Sequence, residues 1–230
     1  MARAIAMSMG QSIGASPPAA APPGGGEERI VRRVIPADNS CLFNAVAYAL
    51  EGGATDRAQQ LRETVAALVL SDPVRWTEAE LDGRPPDDYA DWIQDDKHWG
   101  GGIELAVLSE HYGTEIAAFD CQSGRVDIFG QDRGYRQRAM LIYDGIHYDL
   151  LVKQLFDGAP ATLDVTLFDV TDEDVVAKAK AVAEEAKKNR QFTDIAGFTL
   201  RCNVCQKGLV GMQQAQEHAK ETGHANFVQY

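Results

Sequence analysis

The tightest constraint on this chain lies near its end, in Cys202-x2-Cys205-x12-His218-x5-His224. Two cysteines on a knuckle and two histidines on a following helix can close one tetrahedral zinc site. A unit as short as residues 199–230 has too little apolar surface to fold by burial alone, so the metal would supply its folding free energy. Leu209 and Ala215 stand where such a finger packs its small core. A finger that reads nucleic acid presents basic and polar side chains from its helix start and usually works in tandem arrays. Here that helix offers Met212, Gln213, Gln214, Gln216 and Glu217, and there is one finger. A structural or protein-binding finger is the expectation.

The chain as a whole is acidic. A formal net charge of -12 speaks against nucleic acid or an anionic membrane surface as the main partner and suits a basic one. With 230 residues, 45% of them hydrophobic, there is room for one full-sized domain beside the finger. No run approaches the ~18 apolar residues of a membrane span. The amino terminus lacks the apolar stretch of a secretory signal. Four cysteines, two of them in the C-x-x-C, fit intracellular thiol and metal usage better than a disulfide framework. The expected compartment is the cytoplasm or the nucleus.

Residues 1–28 end in "SPPAAAPPGGGEE", a Pro/Gly/Ala segment with little to bury, expected to be a disordered tail. From Arg29 the texture changes. "RIVRRVIP" reads as a short strand closed by Pro36, and "CLFNAVAYALEGG" as a helix stopped by Gly52-Gly53. A second helix is predicted from Thr55 to Pro73, a short one near Tyr89–Gln94 and a third over 103–112. Then come strand-like runs "TEIAAFD", "GRVDIFG" and "RAMLIY", with Asp144-Gly145 turning into "IHYDLL" as a hairpin. Helices first and strands later predict an α+β body with a mixed central sheet, over residues 29–155. Residues 156–198 read as a helical extension and linker. Thr171 and Asp174 give its helix a capping-box-like start, and Val175, Val176, Ala179, Val182 and Ala183 are expected to pack inward.

Two separated motifs carry chemistry. Cys41 follows the turn-rich "PADNS" and opens a helix, where the dipole and unsatisfied amides lower a thiol's pKa. The same loop can aim amides at one point, as an oxyanion hole requires. Alternation along "DGIHYDLL" places Ile146, Tyr148 and Leu150 on one face and His147 with Asp149 on the other. An acid two residues on can hold the imidazole in one tautomer, the base-plus-orienter arrangement of nucleophilic catalysis. Spacing alone leaves two readings open: this dyad, or a buried packing cysteine and a satisfied core histidine. His98, His111 and Cys121 have no such context and read as structural or surface residues.

"DNSCLFNAV" with "YDGIHYDLL" resembles the ovarian-tumour (OTU) class of cysteine deubiquitinases, whose pattern is D-x-x-C early and H-Y-D late. "RQFTDIAGFTLRCNVCQKGL…EHAKETGHANF" is similar to the branch of that family with a carboxy-terminal C2H2 finger. The resemblance covers roughly residues 29–230, with three motifs in order. It implies a papain-like fold and hydrolysis of isopeptide bonds to ubiquitin, in ubiquitin chains or conjugated proteins. On it, Cys41 is the nucleophile, His147 the general base, Asp149 its orienter and Asp38 the brace of an oxyanion loop containing Asn39 and Ser40. It implies a structural zinc on Cys202, Cys205, His218 and His224, and no cofactor for catalysis. Trp99-Gly100-Gly101, in "DDKHWGGGIEL", either walls a narrow channel for the substrate's Gly-Gly end or packs Trp99 into the core. The branch often carries an amino-terminal ubiquitin-like domain that docks onto a Cdc48/p97-type unfoldase. Residues 1–28 hold no counterpart, so docking on that ATPase is not expected, and a part in endoplasmic-reticulum-associated degradation follows from kinship alone.

Overall fold

The computed structural model describes residues 27–194, 199–224 and 227–229. The first 26 residues of the expected tail lie outside the described residues, as do the side chains of Met212, Gln213 and Gln216.

The chain enters the body through strand β1 (Arg29–Arg33) and turns at Pro36 into helix α1 (Cys41–Leu50). Leu42, Phe43, Ala45, Val46 and Ala49 are buried, so α1 lies inside the molecule and not on its surface. Burying side chains of the size of Leu42, Phe43 and Val46 contributes ~1.5–3 kcal/mol each. Helix α2 (Ala58–Ser71) packs with α3 (Pro86–Gln94) and α4 (Gly102–Tyr112) on the same side. The second helix begins at Ala58 and not at Thr55, while α3 takes Pro86 in its first turn, where the missing N–H costs nothing.

Strands β2 (Glu115–Asp120), β3 (Val126–Phe129), β4 (Gln137–Tyr143), β5 (Tyr148–Gln154) and β6 (Leu167–Asp169) join β1 in one sheet, in the order β1-β5-β4-β2-β3. Among the described strands of this sheet only β2 and β4 run parallel; the β4–β5 hairpin turns at Asp144-Gly145 as the sequence predicts. The two-residue period sorts the sheet's side chains cleanly. Ala139, Leu141, Leu150 and Val152 face α1 and α2, whereas Met140, Ile142 and Leu151 face helix α5 (Glu173–Lys188). The result is a mixed sheet between two helical layers.

The residues beyond 156, read from sequence as a helical extension and linker, add to that body. β6 pairs with the first half of β4, and Val175, Ala179, Ala183 and Ala186 of α5 close the sheet's second face. Arg33 and Tyr48 both bind the Asp164 carboxylate, at 2.6–2.8 Å. The start of α5 also differs from the expected capping box. Asp172 is the cap, accepting from the Val175 N–H at 3.1 Å, while Thr171 bonds back to Asp169.

The finger consists of β7 (Thr199–Cys202), β8 (Gly208–Val210), α6 (Gly211–Thr222) and β9 (Phe227–Gln229), with strand order β8-β7-β9. Its described core is Leu200, Leu209 and Ala215. Leu200 and the closing strand β9 are additions to the sequence reading.

Candidate active site

Cys41 is the first residue of α1 and is 8% exposed. The loop before it is built around a carboxylate and a buried cation. Asp38 Oδ1 accepts from the Ser40 N–H at 2.8 Å, and the Asn44 amide reaches both Asp38 oxygens at 3.3–3.4 Å. Ser40 therefore has its amide committed to Asp38 and is not a free oxyanion donor. The Cys41 N–H makes only a long 3.4 Å contact with the Asp38 carbonyl. Asn39 uses its side-chain oxygen to hold the Trp99 indole N–H at 2.8 Å.

Arg62, on α2, completes this loop. It is 0% exposed, and its Nη2 donates to the Asn39 and His98 carbonyls at 2.9 and 2.8 Å and to Ser40 Oγ at 3.2 Å. Nη1 donates to the Ile93 carbonyl at 2.9 Å and the Asp95 carbonyl at 3.3 Å, and the guanidinium lies 4.3 Å from the Phe43 ring centre. One arginine thus staples the Cys41 loop to α3 and to the segment bearing Trp99. Its signal was in the sequence: Arg62 shares the apolar stripe of Val65, Ala66 and Val69, where a charge requires internal partners.

His147 sits at the mouth of β5. Its Nε2 lies 3.0 Å from Asp149 Oδ1 and 3.1 Å from the Ile35 carbonyl. A carbonyl oxygen can only accept, so Nε2 carries the proton and Nδ1 the lone pair. Asp149, 1% exposed, also accepts from the Ile35 N–H at 2.6 Å and from Arg32 Nε. Ile35, which the sequence reading did not single out, therefore grips both members of the pair through its backbone. The backbone N–H groups of Tyr148, next to His147, and of Leu42 are directed at the Cys41 sulfur. The two motifs, more than a hundred residues apart, meet here.

The helix start does not leave Cys41 with a depressed pKa. Burial pushes the thiol above its ordinary value, the Tyr148 and Leu42 amides oppose this, and the charges of Asp38 and Asp149 add to the rise. The expected lowering by the helix terminus is outweighed because the sulfur is dry and faces two carboxylates. Cys121 is fully buried and pushed up to about 11 by burial, as suits a packing residue. His98 stacks on Trp92 and bonds its carbonyl, a structural role.

Trp99 is 56% exposed, which excludes core packing. A Cβ on Gly100 would stand 3.1–3.2 Å from Phe43 and Leu42, so a side chain there would crowd the approach of the Trp99 segment to α1. Gly101 donates its N–H to the buried Glu104 at 2.5 Å, at the start of α4.

In the finger, one ligand atom from each of Cys202, Cys205, His218 and His224 lies within 4.8 Å of all the others. Tetrahedral zinc with thiolate and imidazole ligands separates its donors by about 3.3–3.8 Å, so the set fits with small adjustments. The Cys205 sulfur and His218 Nε2 are already 3.4 Å apart, and His224 Nδ1 is buried with no hydrogen-bond partner, as a metal-facing nitrogen would be.

Residues 36–150 match the OTU-like cysteine protease family, and residues 196–230 match the family described as "Ubiquitin thioesterase OTU1, C-terminal C2H2-type zinc finger". The chain is 50% identical over 203 residues to the ubiquitin thioesterase OTU1 of Gallus gallus, covering 86% of this chain and 65% of that protein. For the Homo sapiens protein of the same name the identity is 50% over 200 residues, covering 86% and 57%. The chain thus spans roughly three-fifths of the length of these relatives. With an Arabidopsis thaliana ovarian tumour domain-containing deubiquitinating enzyme 2 it shares 45% identity over 205 residues, 87% of this chain and 98% of that one. Among solved structures, an OTU domain in complex with ubiquitin superposes with a TM-score of 0.63 at 30% identity, covering 74% of this chain and 95% of the other.

Proposed function

Because the chain belongs to the OTU-like cysteine protease family, we propose that it is a thiol-dependent deubiquitinase that cleaves isopeptide bonds between ubiquitin and lysine. The observation that carries this reading is the pair of acceptors, the Ile35 carbonyl and Asp149 Oδ1, on His147 Nε2. With Nε2 held as a donor by Ile35 and Asp149, Nδ1 is the one nitrogen able to take a proton, on a residue adjoining the amide that faces Cys41.

The Cys41 sulfur attacks the isopeptide carbonyl as its proton passes to His147 Nδ1. Negative charge collects on the former carbonyl oxygen, to which the Cys41 N–H, weakly engaged at 3.4 Å, can donate. Collapse of the tetrahedral adduct breaks the C–N bond, and the imidazolium returns its proton to the departing lysine amine. Water then attacks the thioester, giving one proton to His147 and releasing the ubiquitin carboxylate and the Cys41 thiol. Asp149 keeps the ring in register throughout, and Asp38 with Arg62 holds the loop. Trp99, anchored on Asn39 and exposed, is the residue we assign to wall the approach of the substrate's Gly-Gly end beside Gly100 and Gly101. The net charge of -12 suits a basic partner such as ubiquitin's tail.

Zinc, when bound by Cys202, Cys205, His218 and His224, serves the fold of the finger; no catalytic step above needs it.

The test is a ubiquitin derivative bearing a carboxy-terminal electrophile. Wild type should form a covalent adduct, and Cys41→Ala should form none and lose turnover by about 10⁴-fold or more. If wild type gives neither adduct nor chain cleavage under reducing conditions, a non-catalytic ubiquitin adaptor is the better reading.

A further inference from the structure

Arg32 contacts neither the sulfur nor the imidazole, yet its guanidinium binds both carboxylates that place His147. Nε donates to Asp149 Oδ2, and Nη2 donates to Asp144 Oδ2 at 3.2 Å. The other oxygen of Asp149 is taken by the His147 ring and the Ile35 N–H. The other oxygen of Asp144 accepts from the backbone N–H of His147 at 2.9 Å and of Ile146 at 3.2 Å, shaping the turn that delivers the ring. One cation on β1 therefore ties the acid that orients the imidazole to the acid that builds its turn.

We propose that Arg32 is a positioning residue for the acid–base pair and sets the pH window in which Cys41 and His147 work. The proposal rests on the reading of those two residues as nucleophile and base. Geometry gives the first half. Without the guanidinium, buried Asp149 keeps an anionic oxygen with no donor, so it must rotate or admit water. Each outcome loosens the ring.

Charge gives the second half. The titratable groups facing this centre are Asp38 from the loop before α1, Cys41 from α1, Tyr143 and Asp144 at the end of β4, and Tyr148 and Asp149 from β5. Asp120 and Cys121 face it from the end of β2. Glu104 and Asp127 act on Tyr148, and Arg62 acts on Asp38 from α2; Arg32 is the cation bonded to Asp149 and Asp144 themselves. Removing it makes the field at Cys41 and His147 more negative, so both hold their protons to higher pH. The active form has one proton between sulfur and imidazole, whichever atom holds it. Both limbs of the bell-shaped rate profile therefore move upward together.

The full chain is assayed with ubiquitin carrying a fluorogenic carboxy-terminal amide, as Arg32→Gln, Arg32→Lys and Asp144→Asn. Arg32→Gln should lower kcat by about 10²-fold with KM little changed, since misplacement acts on the chemical step. Both limbs should rise by about one pH unit. Arg32→Lys keeps the charge but loses the two-armed geometry, so its limbs should return to the wild-type position with only part of kcat recovered. Asp144→Asn removes a negative charge and keeps Arg32 on Asp149, so its limbs should move downward with a smaller loss of rate.

Opposite shifts for Arg32→Gln and Asp144→Asn, with Lys rescue of the profile, establish the role. Unmoved limbs in Arg32→Gln, or limbs moving the same way in both, overturn it and leave Arg32 as a structural ion-pair partner. Should Arg32→Gln not fold, the direction of the Asp144→Asn shift and the Arg32→Lys profile decide alone. Failure of the underlying reading looks different: Cys41→Ala would then still turn over.

Discussion

The α/β body and the finger hold two cysteines each and use them in opposite ways. In the body Cys41 and Cys121 are buried, and burial pushes both thiols above their ordinary range. In the finger Cys202 and Cys205 converge with His218 and His224, a donor set that favours thiolate because a cation can match it. The cores explain the contrast. The body closes both faces of a six-stranded sheet, whereas the finger has Leu200, Leu209 and Ala215. Two buried leucines contribute ~3–6 kcal/mol. Ordering even ten residues of backbone costs about 10–20 kcal/mol. A thiol can stay neutral where packing alone carries the fold; where packing is insufficient, it must ligate.

The largest effect expected from this contrast is on metal removal. Apparent binding free energies of structural zinc are about 10–16 kcal/mol at neutral pH, so chelation should unfold residues 199–230. Amide dispersion of α6 should collapse in NMR spectra while that of β4 and β5 persists. Cleavage of a ubiquitin amide substrate should stay within about twofold. Loss of β4 and β5 dispersion, or abolished cleavage, would mean that the two regions fold as one.

Next in size is a substitution that only the body should feel. Arg62→Met leaves the Asn39, Ile93 and His98 carbonyls without their donor and gives up the contact with Phe43. A destabilisation of about 3–5 kcal/mol is expected in urea unfolding followed by tryptophan fluorescence. Zinc affinity should be unchanged. Unaltered body stability would show that the loop before Cys41 is held by Asp38 alone.

Most elements of both regions were legible because their signals are local. Hydrophobic period placed the helices and strands, Asp144-Gly145 gave the hairpin, and ligand spacing gave the finger. What sequence did not reveal depends on contacts between distant segments. Ile35 looks like a strand-end residue until its backbone is seen between His147 and Asp149. Ser40 looks like an available amide until Asp38 takes it. Cys41 has the helix terminus expected of a low-pKa thiol, but local position says nothing of the dryness and carboxylates around it. The partners of β6 and α5 stayed hidden for the same reason: the inward face of α5 is local, but its seat on the sheet and the pairing of β6 with β4 join distant segments.

The seat of α5 yields the smallest prediction, and it bears directly on where one region ends. Asp172 caps α5 through the Val175 N–H, in the stretch that sequence reads as a helical extension and linker. An N-cap carboxylate replaced by alanine costs about 1 kcal/mol. If α5 were a detachable extension, Asp172→Ala would fray that helix and leave the unfolding midpoint of the body unchanged. Because Val175, Ala179, Ala183 and Ala186 cover Met140, Ile142 and Leu151, fraying instead exposes the sheet. The whole cost should then appear in the cooperative transition of the body, with an unchanged dependence on denaturant. Fluorescence and far-ultraviolet circular dichroism should move together. A helical signal lost at lower urea than the tryptophan signal would return α5 to the linker and make the body end near β5.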